Sequence, residues 1–343
     1  MKIGDRHIGP KHPPYIIAEI GVNHDGDPDR AVMLTESAAR AGADAVKLQL
    51  FETDRLMSKA ARLAAYQKSA GETDPFAMLR RLELSIDQMA PSVERAHELG
   101  IHAIVTVFSV ELVEVAEQLP WDAYKSASPD VVNRPLLEAM AATGKPLIVS
   151  TGASTLDEVT RAAGWLDGIR DRLTMLQCVS SYPAPDAALG GIRAIAEATG
   201  LPVGYSDHTA SIETGAMAVA AGAALLERHV TYDTSAAGPD HGASLEPVGF
   251  ERYADRARAA TRSTDQSIVD KRVLACEQDV RAVSRQSLVA VRNLAAGAVL
   301  TLDDLTIKRP GTGIEPWRVD EVVGATVARD IEADMPLIEE DLS

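Results

Sequence analysis

The 343-residue chain contains only two cysteines, Cys178 and Cys276, and no CxxC pair. This scarcity excludes a disulfide framework and gives no support to a cysteine-ligated zinc site. Aromatic residues make up 4% of the chain, whereas hydrophobic residues make up 46%. Aliphatic and alanine side chains must therefore fill most of the core, which is compatible with an α/β fold.

Clustered positive charge and long apolar runs are also missing. The net charge is −16 and no block of Lys and Arg stands out, which argues against nucleic-acid and anionic-membrane partners because both require a concentrated positive surface. No apolar run reaches membrane-spanning length, and the N-terminal MKIGDRHIGPKHPP lacks an apolar signal core. We expect a cytoplasmic protein, and a few cations in a cleft would suffice for an anionic small substrate.

From residue 15 to about 262, short apolar strand-like runs alternate with helix-like runs. The strand candidates are YIIAEIG, DAVKLQLF, HAIVTVFS, AYKSAS, PLIVSTG, LTMLQCVS, LPVGYSDHT and LLERHVT. Eight strands alternating with helices over roughly 250 residues are typical of a (β/α)8 TIM barrel. A doubly wound open sheet is the alternative, but no GxGxxG opens the first helix.

Two segments interrupt this alternation. Residues 52–84 form a long connection after the second strand, which predicts a lid or interaction segment at the active-site mouth, with a plain surface insertion as the alternative. After about residue 263 the chain becomes polar, and then it shows short apolar runs broken by turns. We predict a barrel domain over 1–262, a linker or exposed helix over 263–285, and a small module over 286–343.

Two lysines in strand settings, Lys47 and Lys125, are the first candidate site residues. Catalytic groups of TIM barrels lie at the C-terminal ends of the strands, and a buried lysine requires an anionic partner. Together with Ser and Thr hydroxyls, two lysines would suit a phosphate and a carboxylate. The alternative is an internal ion pair of Lys47 with Glu19 or Glu227.

Two histidines end the seventh and eighth predicted strands. His208 and His229 are expected to meet above the barrel, where two imidazoles with water and substrate oxygens would suit a divalent ion such as Mn²⁺ or Zn²⁺. The alternative is that each histidine is a hydrogen-bonded structural residue. In the loop that follows, GPDHGASLEP, we expect His241 to be an ordinary solvated residue.

Several longer motifs occur in a fixed order along nearly the whole chain: IIAEIGVNHDGD, GADAVKLQLF, GKPLIVSTGAS, SSYPAP, GYSDHT, LLERHVT, GPDHGASLEP and KRPGTGI. In these motifs the chain resembles the sialic acid synthase family, which condenses phosphoenolpyruvate with an N-acetylated amino sugar. The resemblance implies a TIM barrel followed by an antifreeze-like SAF domain of the β-clip type. It also implies a domain-swapped homodimer and a divalent metal, foremost Mn²⁺, with Mg²⁺, Co²⁺ or Zn²⁺ as alternatives.

The resemblance further implies roles for individual residues. Phosphoenolpyruvate would be surrounded by Lys47, Gln49, Thr106, Lys125, Ser128, Ser180 and Ser206. The metal would be held by His208 and His229. The sugar would contact Glu19, Tyr182, Asp240 and, from the other subunit, Arg309. The catalytic set would be Glu19, Lys47, Lys125, His208 and His229, with Glu19 managing protons or orienting the aldehyde.

Some pocket motifs differ from those common in the family. The chain reads KSASPD, with Pro129 and Asp130, and QCVSS, with Gln177 and Ser180. The acceptor therefore stays open among N-acetylmannosamine, a 6-deoxy di-N-acetylated hexose and another sugar-like aldehyde. One alternative function is a 3-deoxy-2-keto acid synthase acting on a phosphorylated sugar, which should require extra basic residues. A non-catalytic sugar- or surface-binding protein is the alternative from a different class.

Overall fold

A short hairpin and a closed eight-stranded barrel begin the structure, a computed structural model that describes residues 1–263 and 273–343. The antiparallel hairpin pairs β1 (Lys2–Ile3) with β2 (Arg6–His7). The barrel strands are parallel and neighbour one another in chain order. Their bounds are β3 (Tyr15–Glu19), β4 (Ala45–Leu50), β5 (His102–Val107), β6 (Ala123–Ser126), β7 (Leu147–Ser150), β8 (Leu173–Cys178), β9 (Val203–Asp207) and β10 (Leu225–His229). The predicted TIM barrel is confirmed.

Helices cover the outside of the barrel and begin at residues that cap them. The Asp27 side chain accepts hydrogen bonds from two N–H groups of the first turn, directly before Pro28 at the first helical position. Ser85 and Gln88 form a capping box at the start of another helix. The bounds are α1 (Pro28–Arg40), α2 (Thr53–Leu56), α3 (Ala65–Ser69), α4 (Pro75–Leu82), α5 (Ile86–Glu98), α6 (Glu111–Ala116), α7 (Arg134–Ala142), α8 (Leu156–Trp165), α9 (Gly190–Thr199), α10 (Thr214–Ala220) and α11 (Pro247–Ser263), with short 3-10 turns over Ser128–Val132, Asp167–Arg172 and His241–Ala243.

Alternation along the strands sorts the barrel side chains into two hydrophobic layers. Outward residues such as Val46 pack against the helices in one large cluster. Inward residues near the N-terminal ends of the strands, including Tyr15 and Ile104, form a second cluster, to which Ile3 and Ile8 of the N-terminal segment belong. The hairpin region therefore closes the bottom of the barrel with apolar side chains, and polar inward residues are left for the opposite end.

A buried ion pair lies on the outer face of two neighbouring strands. Arg228 Nη1 is 3.0 Å from Asp207 Oδ1, and the two side chains are 1% and 0% exposed. The Arg228 guanidinium also lies 5.8 Å from the ring centre of Tyr253 on α11. Because either charge alone would be buried without compensation, this pair ties the last strands to the helical layer.

The chain divides into two compact units, Met1–Asp265 and Gln266–Ser343. Of the predicted linker over 263–285, residues 264–272 lie outside the described residues. The second unit contains α12 (Gln278–Ser284), the antiparallel pair β11 (Ser287–Ala290) and β12 (Leu305–Lys308), and α13 (Val319–Val322), with 3-10 turns over Ala275–Glu277, Leu302–Asp304, Pro316–Arg318 and Glu339–Asp341. Its core includes Leu288, Leu300, Ile314, Val327 and Leu337. Throughout the described ranges, no helix combines the length and apolarity needed to cross a bilayer.

Candidate active site

The inward residues at the C-terminal ends of the strands form a polar layer directly above the apolar interior. Strand pairing places Glu19 of β3 beside Lys47 of β4, and Thr106 of β5 beside Lys125 of β6. On the other side of the barrel, Glu227 of β10 pairs with Ser206 of β9, and His229 pairs with Glu19. Because side chains two apart share a face, the same period that builds the barrel gathers these groups at its mouth.

The two predicted lysines share a carboxylate. Lys125 Nζ lies 3.1 Å from Glu227 Oε1, and Lys47 Nζ lies 3.8 Å from Glu227 Oε2. Lys47 also contacts the Glu19 carboxylate and donates a hydrogen bond of 2.7 Å to Thr106 Oγ1. The predicted internal ion pair is thus present for Lys47 with both glutamates, and burial of the lysines alone does not identify a ligand.

Burial and neighbouring charges perturb this network strongly. Burial lowers the pKa of Lys47 to about 7, against the opposing attraction of Glu227. Burial alone would raise the pKa of Glu227, but Lys125 and Lys47 outweigh it and hold this pKa at about 2. Glu227 therefore stays ionised across the physiological range and is the anion that the lysines require.

A group of hydroxyls adjoins the lysines. Ser128 Oγ and Ser150 Oγ are 2.9 Å apart, and Ser180 lines the same cavity. Gly152 stands between them, since a Cβ added there would lie 2.2 Å from Ser180 Oγ and 2.8 Å from Ser128 Oγ. Only glycine fits this position with the serines where they are, so the hydroxyls form a cradle with the polarity and size for an anionic oxygen group.

The two predicted histidines meet as expected. The rings of His208 and His229 are 5.3 Å apart between centres, and the Tyr182 ring packs 4.2 Å from His208 and 5.9 Å from His229. His208 Nδ1 lies 3.0 Å from the Val179 carbonyl oxygen, which makes this nitrogen the donor and leaves Nε2 as the free nitrogen. Asp240 Oδ2 lies 3.5 Å from His229 Nδ1.

These donors fit a divalent transition ion. Burial and the neighbouring His208 lower the pKa of His229 well below its ordinary value, which keeps this imidazole neutral as metal ligation requires. His229 Nδ1 is also buried without a hydrogen-bond partner. Within the described ranges, no group of three or more His, Cys, Asp or Glu side chains forms a ready-made metal site. Two imidazoles would therefore hold the ion together with water and substrate oxygens.

The loop after β10 contains a network that the sequence did not reveal. His241 is fully buried rather than solvated, so this expectation was wrong. Its Nε2 lies 2.9 Å from Asp25 Oδ1, and its Nδ1 lies 2.7 Å from Thr231 Oγ1. These contacts join the loops after the first and last barrel strands and fix the position next to Asp240, whose pKa burial raises to about 6. The partners are too far apart in sequence for local patterns to show them.

The long connection over 52–84 lies at the mouth, as predicted. It contains α2, α3 and α4, and its residues Leu56, Met57, Arg62, Ala64, Tyr66, Gln67, Met78 and Leu79 line the cavity above the polar floor. Met78 and Leu82 pack with Val22 and Phe51 in a small hydrophobic cluster that anchors this segment. The alternative of a surface insertion without contact to the site is therefore wrong.

The barrel residues that the sequence nominated line one cavity of about 470 Å³, within the range of roughly 300–1,000 Å³ that is usual for small-molecule sites. This set comprises Glu19, Lys47, Gln49, Thr106, Lys125, Ser128, Ser180, Tyr182, Ser206, His208, His229 and Asp240. Arg309 is exposed, follows β12 and belongs to the second unit. Its assignment to a neighbouring subunit's site therefore stays a prediction.

Comparisons with known proteins agree with this architecture. The family model described as the NeuB family matches residues 34–268, and the SAF domain model matches residues 285–343. N,N'-diacetyllegionaminic acid synthase of Legionella pneumophila is 36% identical over 94% of this chain and 93% of its own. N-acetylneuraminate-9-phosphate synthase of Mus musculus is 34% identical over 98% of this chain and 94% of its own.

A solved structure supports the same relationship. The crystal structure of an N-acetylneuraminic acid synthetase from Leptospira borgpetersenii, in complex with citrate, matches with a TM-score of 0.73 at 29% identity. The match covers 82% of this chain and 94% of that chain. With the family models, the near full-length relatives and the shared barrel, the chain belongs to the NeuB family of sialic acid synthases, as its motifs indicate.

Proposed function

We propose that the protein condenses phosphoenolpyruvate with the open-chain aldehyde of an N-acetylated amino sugar, giving a 3-deoxy-2-keto sugar acid and phosphate. The observation that carries this proposal is the juxtaposition, in one cavity, of the Lys47–Lys125 pair with the His208–His229 pair. The relatives support it, since their names describe synthases of nonulosonic acids.

The floor of the cavity suits phosphoenolpyruvate. This substrate carries a phosphate and a carboxylate, and Lys47 and Lys125 supply compact positive charge beside the cradle formed by Ser128, Ser150 and Ser180. Gln49 and Thr106 line the same cavity, and Thr106 accepts a hydrogen bond from Lys47. Because the lysines are already held by Glu227, they occupy fixed positions before the substrate arrives, which reduces reorganisation during the reaction.

The acceptor would lie above, between Glu19 and the two histidines. Glu19 Oε1 accepts a hydrogen bond from the Gly21 N–H, and the Gln49 amide lies 3.4 Å from the same oxygen, so the carboxylate has a fixed orientation. Tyr182 and Asp240 line the cavity next to the histidines and would contact the sugar. A divalent ion held by His208 and His229, foremost Mn²⁺, would act as a Lewis acid on the aldehyde oxygen.

The chemistry follows from these positions. C3 of phosphoenolpyruvate forms a bond to the aldehyde carbon, whose oxygen takes up a proton and becomes a hydroxyl. Water adds at C2, where positive charge has developed. The bond between C2 and the oxygen that bears phosphorus then breaks, which releases phosphate and leaves the 2-keto group. Glu19 would hold or transfer the proton at the aldehyde, and the lysines would stabilise the phosphate as it departs.

The proposal includes a homodimer in which Arg309 of one subunit contacts the sugar in the other. The cavity-lining residues all belong to the first unit, and Arg309 is exposed on the second. Mixing Arg309→Ala with Lys47→Met chains tests this idea, because each mixed dimer would regain one complete site. About a quarter of wild-type activity should return if half of the dimers are mixed, and no recovery would contradict the shared site. A cytoplasmic location stays a prediction.

The main experiment is phosphate release from phosphoenolpyruvate in the presence of Mn²⁺ and a panel of amino sugars, with the product identified by mass spectrometry. His208→Ala should lose bound metal and activity while phosphoenolpyruvate still raises the Tm. The matched control is His97→Ala, since His97 is exposed and pairs with Asp122 on the outside of the barrel. Unchanged metal content in His208→Ala would contradict the metal assignment, and no phosphate release with any acceptor would contradict the function.

A further inference from the structure

His208 and His229 lie one residue beyond the backbone pairing of their two strands. The ladder between β9 and β10 ends at the rung that pairs Asp207 with Arg228, and the histidines follow directly. The His208 carbonyl oxygen then accepts a hydrogen bond from the loop after β8, and that of His229 from the loop after β10. The spacing of the two rings, 5.3 Å between centres, therefore depends on what fixes this last rung.

The Asp207–Arg228 ion pair lies on the opposite face of the same two strands, because side chains alternate along a strand. Arg228 Nη1 lies 3.0 Å from Asp207 Oδ1 and 3.4 Å from the Asp207 carbonyl oxygen, which belongs to the peptide that leads to His208. Asp207 Oδ1 also accepts a hydrogen bond of 2.9 Å from the Thr209 N–H. One carboxylate thus holds the backbone on both sides of His208 and connects it to the residue before His229.

Stability alone gives no reason for a charged pair at this position. A buried ion pair can often be replaced by apolar side chains of similar volume without loss of stability. Among the described residues, Arg228 Nε has no hydrogen-bond partner although it is buried, so the guanidinium is incompletely compensated. What the charges add is a short, directed contact between the two strands, which apolar side chains do not supply.

We propose that the Asp207–Arg228 pair is a positioning device that holds His208 and His229 at the spacing that a divalent ion requires. This inference rests on the proposed function, which assigns the ion to these histidines. Metal–ligand distances vary by only about 0.2 Å, so a small change in the distance between the strand ends would disturb the site. Residues that orient metal ligands without touching the ion commonly change the metal affinity about 10–100-fold when they are replaced.

The experiment titrates the full chain, freed of metal by a chelator, with Mn²⁺ and follows free Mn²⁺ by electron paramagnetic resonance. Asp207→Asn removes the charge but keeps an oxygen for the Thr209 N–H, and it suffices if Arg228→Met does not fold. In each folded variant the Kd for Mn²⁺ should rise at least about tenfold. The double variant should bind Mn²⁺ about as well as either single variant, because both changes break the same contact. Phosphoenolpyruvate should still raise the Tm of every variant.

Met140→Ala is the matched control for lost stability. Met140 is fully buried on α7, which lies between β6 and β7 in the chain, so its truncation should lower the Tm. Its Kd for Mn²⁺ should equal that of the wild type. An ion pair with a purely structural role would behave like this control.

An unchanged Kd for Mn²⁺ in Asp207→Asn or in folded Arg228→Met would overturn the inference alone. Losses that add up in the double variant would do the same, because they would show that the two residues act separately. Loss of the phosphoenolpyruvate response together with Mn²⁺ binding would also count against it, since it would show a general disturbance of the site. A wild-type protein that binds no Mn²⁺ would instead overturn the metal assignment in the proposed function, and this inference with it.

Discussion

Replacing Glu227 by Gln should make the protein less stable and yet more responsive to phosphoenolpyruvate. The Glu227 carboxylate lies within 3.1 Å of Lys125 Nζ and 3.8 Å of Lys47 Nζ, and all three side chains are buried. Gln keeps the shape and can still accept the hydrogen bond that Ser206 donates at 3.0 Å. Only the negative charge is lost.

The size of the effect follows from the partners that remain. Lys47 retains Glu19, but Glu227 is the carboxylate that pairs with Lys125. Breaking a buried pair costs about 3–5 kcal/mol, and the retained hydrogen bond favours a value of about 3 kcal/mol. For a unit of this size, the Tm should fall by roughly 6–12 °C. Thermal unfolding followed by tryptophan fluorescence measures this change, since Trp121 is buried in the barrel unit.

Bound phosphoenolpyruvate should offset the loss, because its charges would take the place of the missing carboxylate. Saturating phosphoenolpyruvate should therefore raise the Tm of Glu227→Gln by more degrees than it raises that of the wild type. Glu138→Gln is the control, since Glu138 pairs with Arg134 on the surface of α7 and should change stability by less than about 1 kcal/mol. A variant as stable as the wild type, or one that gains less from phosphoenolpyruvate, would refute the reasoning.

Three further predictions concern other parts of the barrel. Arg228→Met should destabilise the protein by about 3–5 kcal/mol. In urea unfolding, the double variant with Asp207→Asn should lose clearly less free energy of unfolding than the sum of the two single losses. His24, whose pKa burial lowers to about 4, should stay neutral in the fold. Its contribution to the free energy of unfolding should fall by about 3 kcal/mol as the pH drops from 6.5 to 4. His24→Asn should lack this part of the pH dependence of stability. Gly152→Ala should raise the KM for phosphoenolpyruvate roughly tenfold or more, because its Cβ would displace Ser180 and Ser128.

The sequence predicts the barrel and the residues of its floor because both depend on the same two-residue period. Lys47 and Lys125 interrupt apolar strands on the inward face, so their meeting at the mouth follows once the strands are recognised. His208 and His229 follow from the same argument. The polar inward layer could be predicted for this reason, whereas the charge balance within it required the three-dimensional arrangement of Glu19 and Glu227.

Contacts between distant loops could not be predicted in this way. His241 lies in a loop without periodicity, and its partner Asp25 is 216 residues away. The Asp207–Arg228 pair also joins residues on separate strands, although each lies next to a histidine that the sequence did identify. The 52–84 segment was expected at the mouth because of its length. Which of its side chains line the cavity could not be predicted, because α2 and α3 span only four and five residues and show no helical period.

The apolar layer formed with Ile3 and Ile8 closes the bottom of the barrel, and this closure has a kinetic consequence. Because the barrel is closed at that end, both substrates must enter, and both products must leave, through the same mouth. With the proposed substrates, an acceptor that arrived first would stand between solvent and the lysines, so we expect phosphoenolpyruvate to bind before it. Initial-rate kinetics should therefore show an ordered mechanism in which excess acceptor inhibits by competing with phosphoenolpyruvate, and random binding would show a second route to the floor.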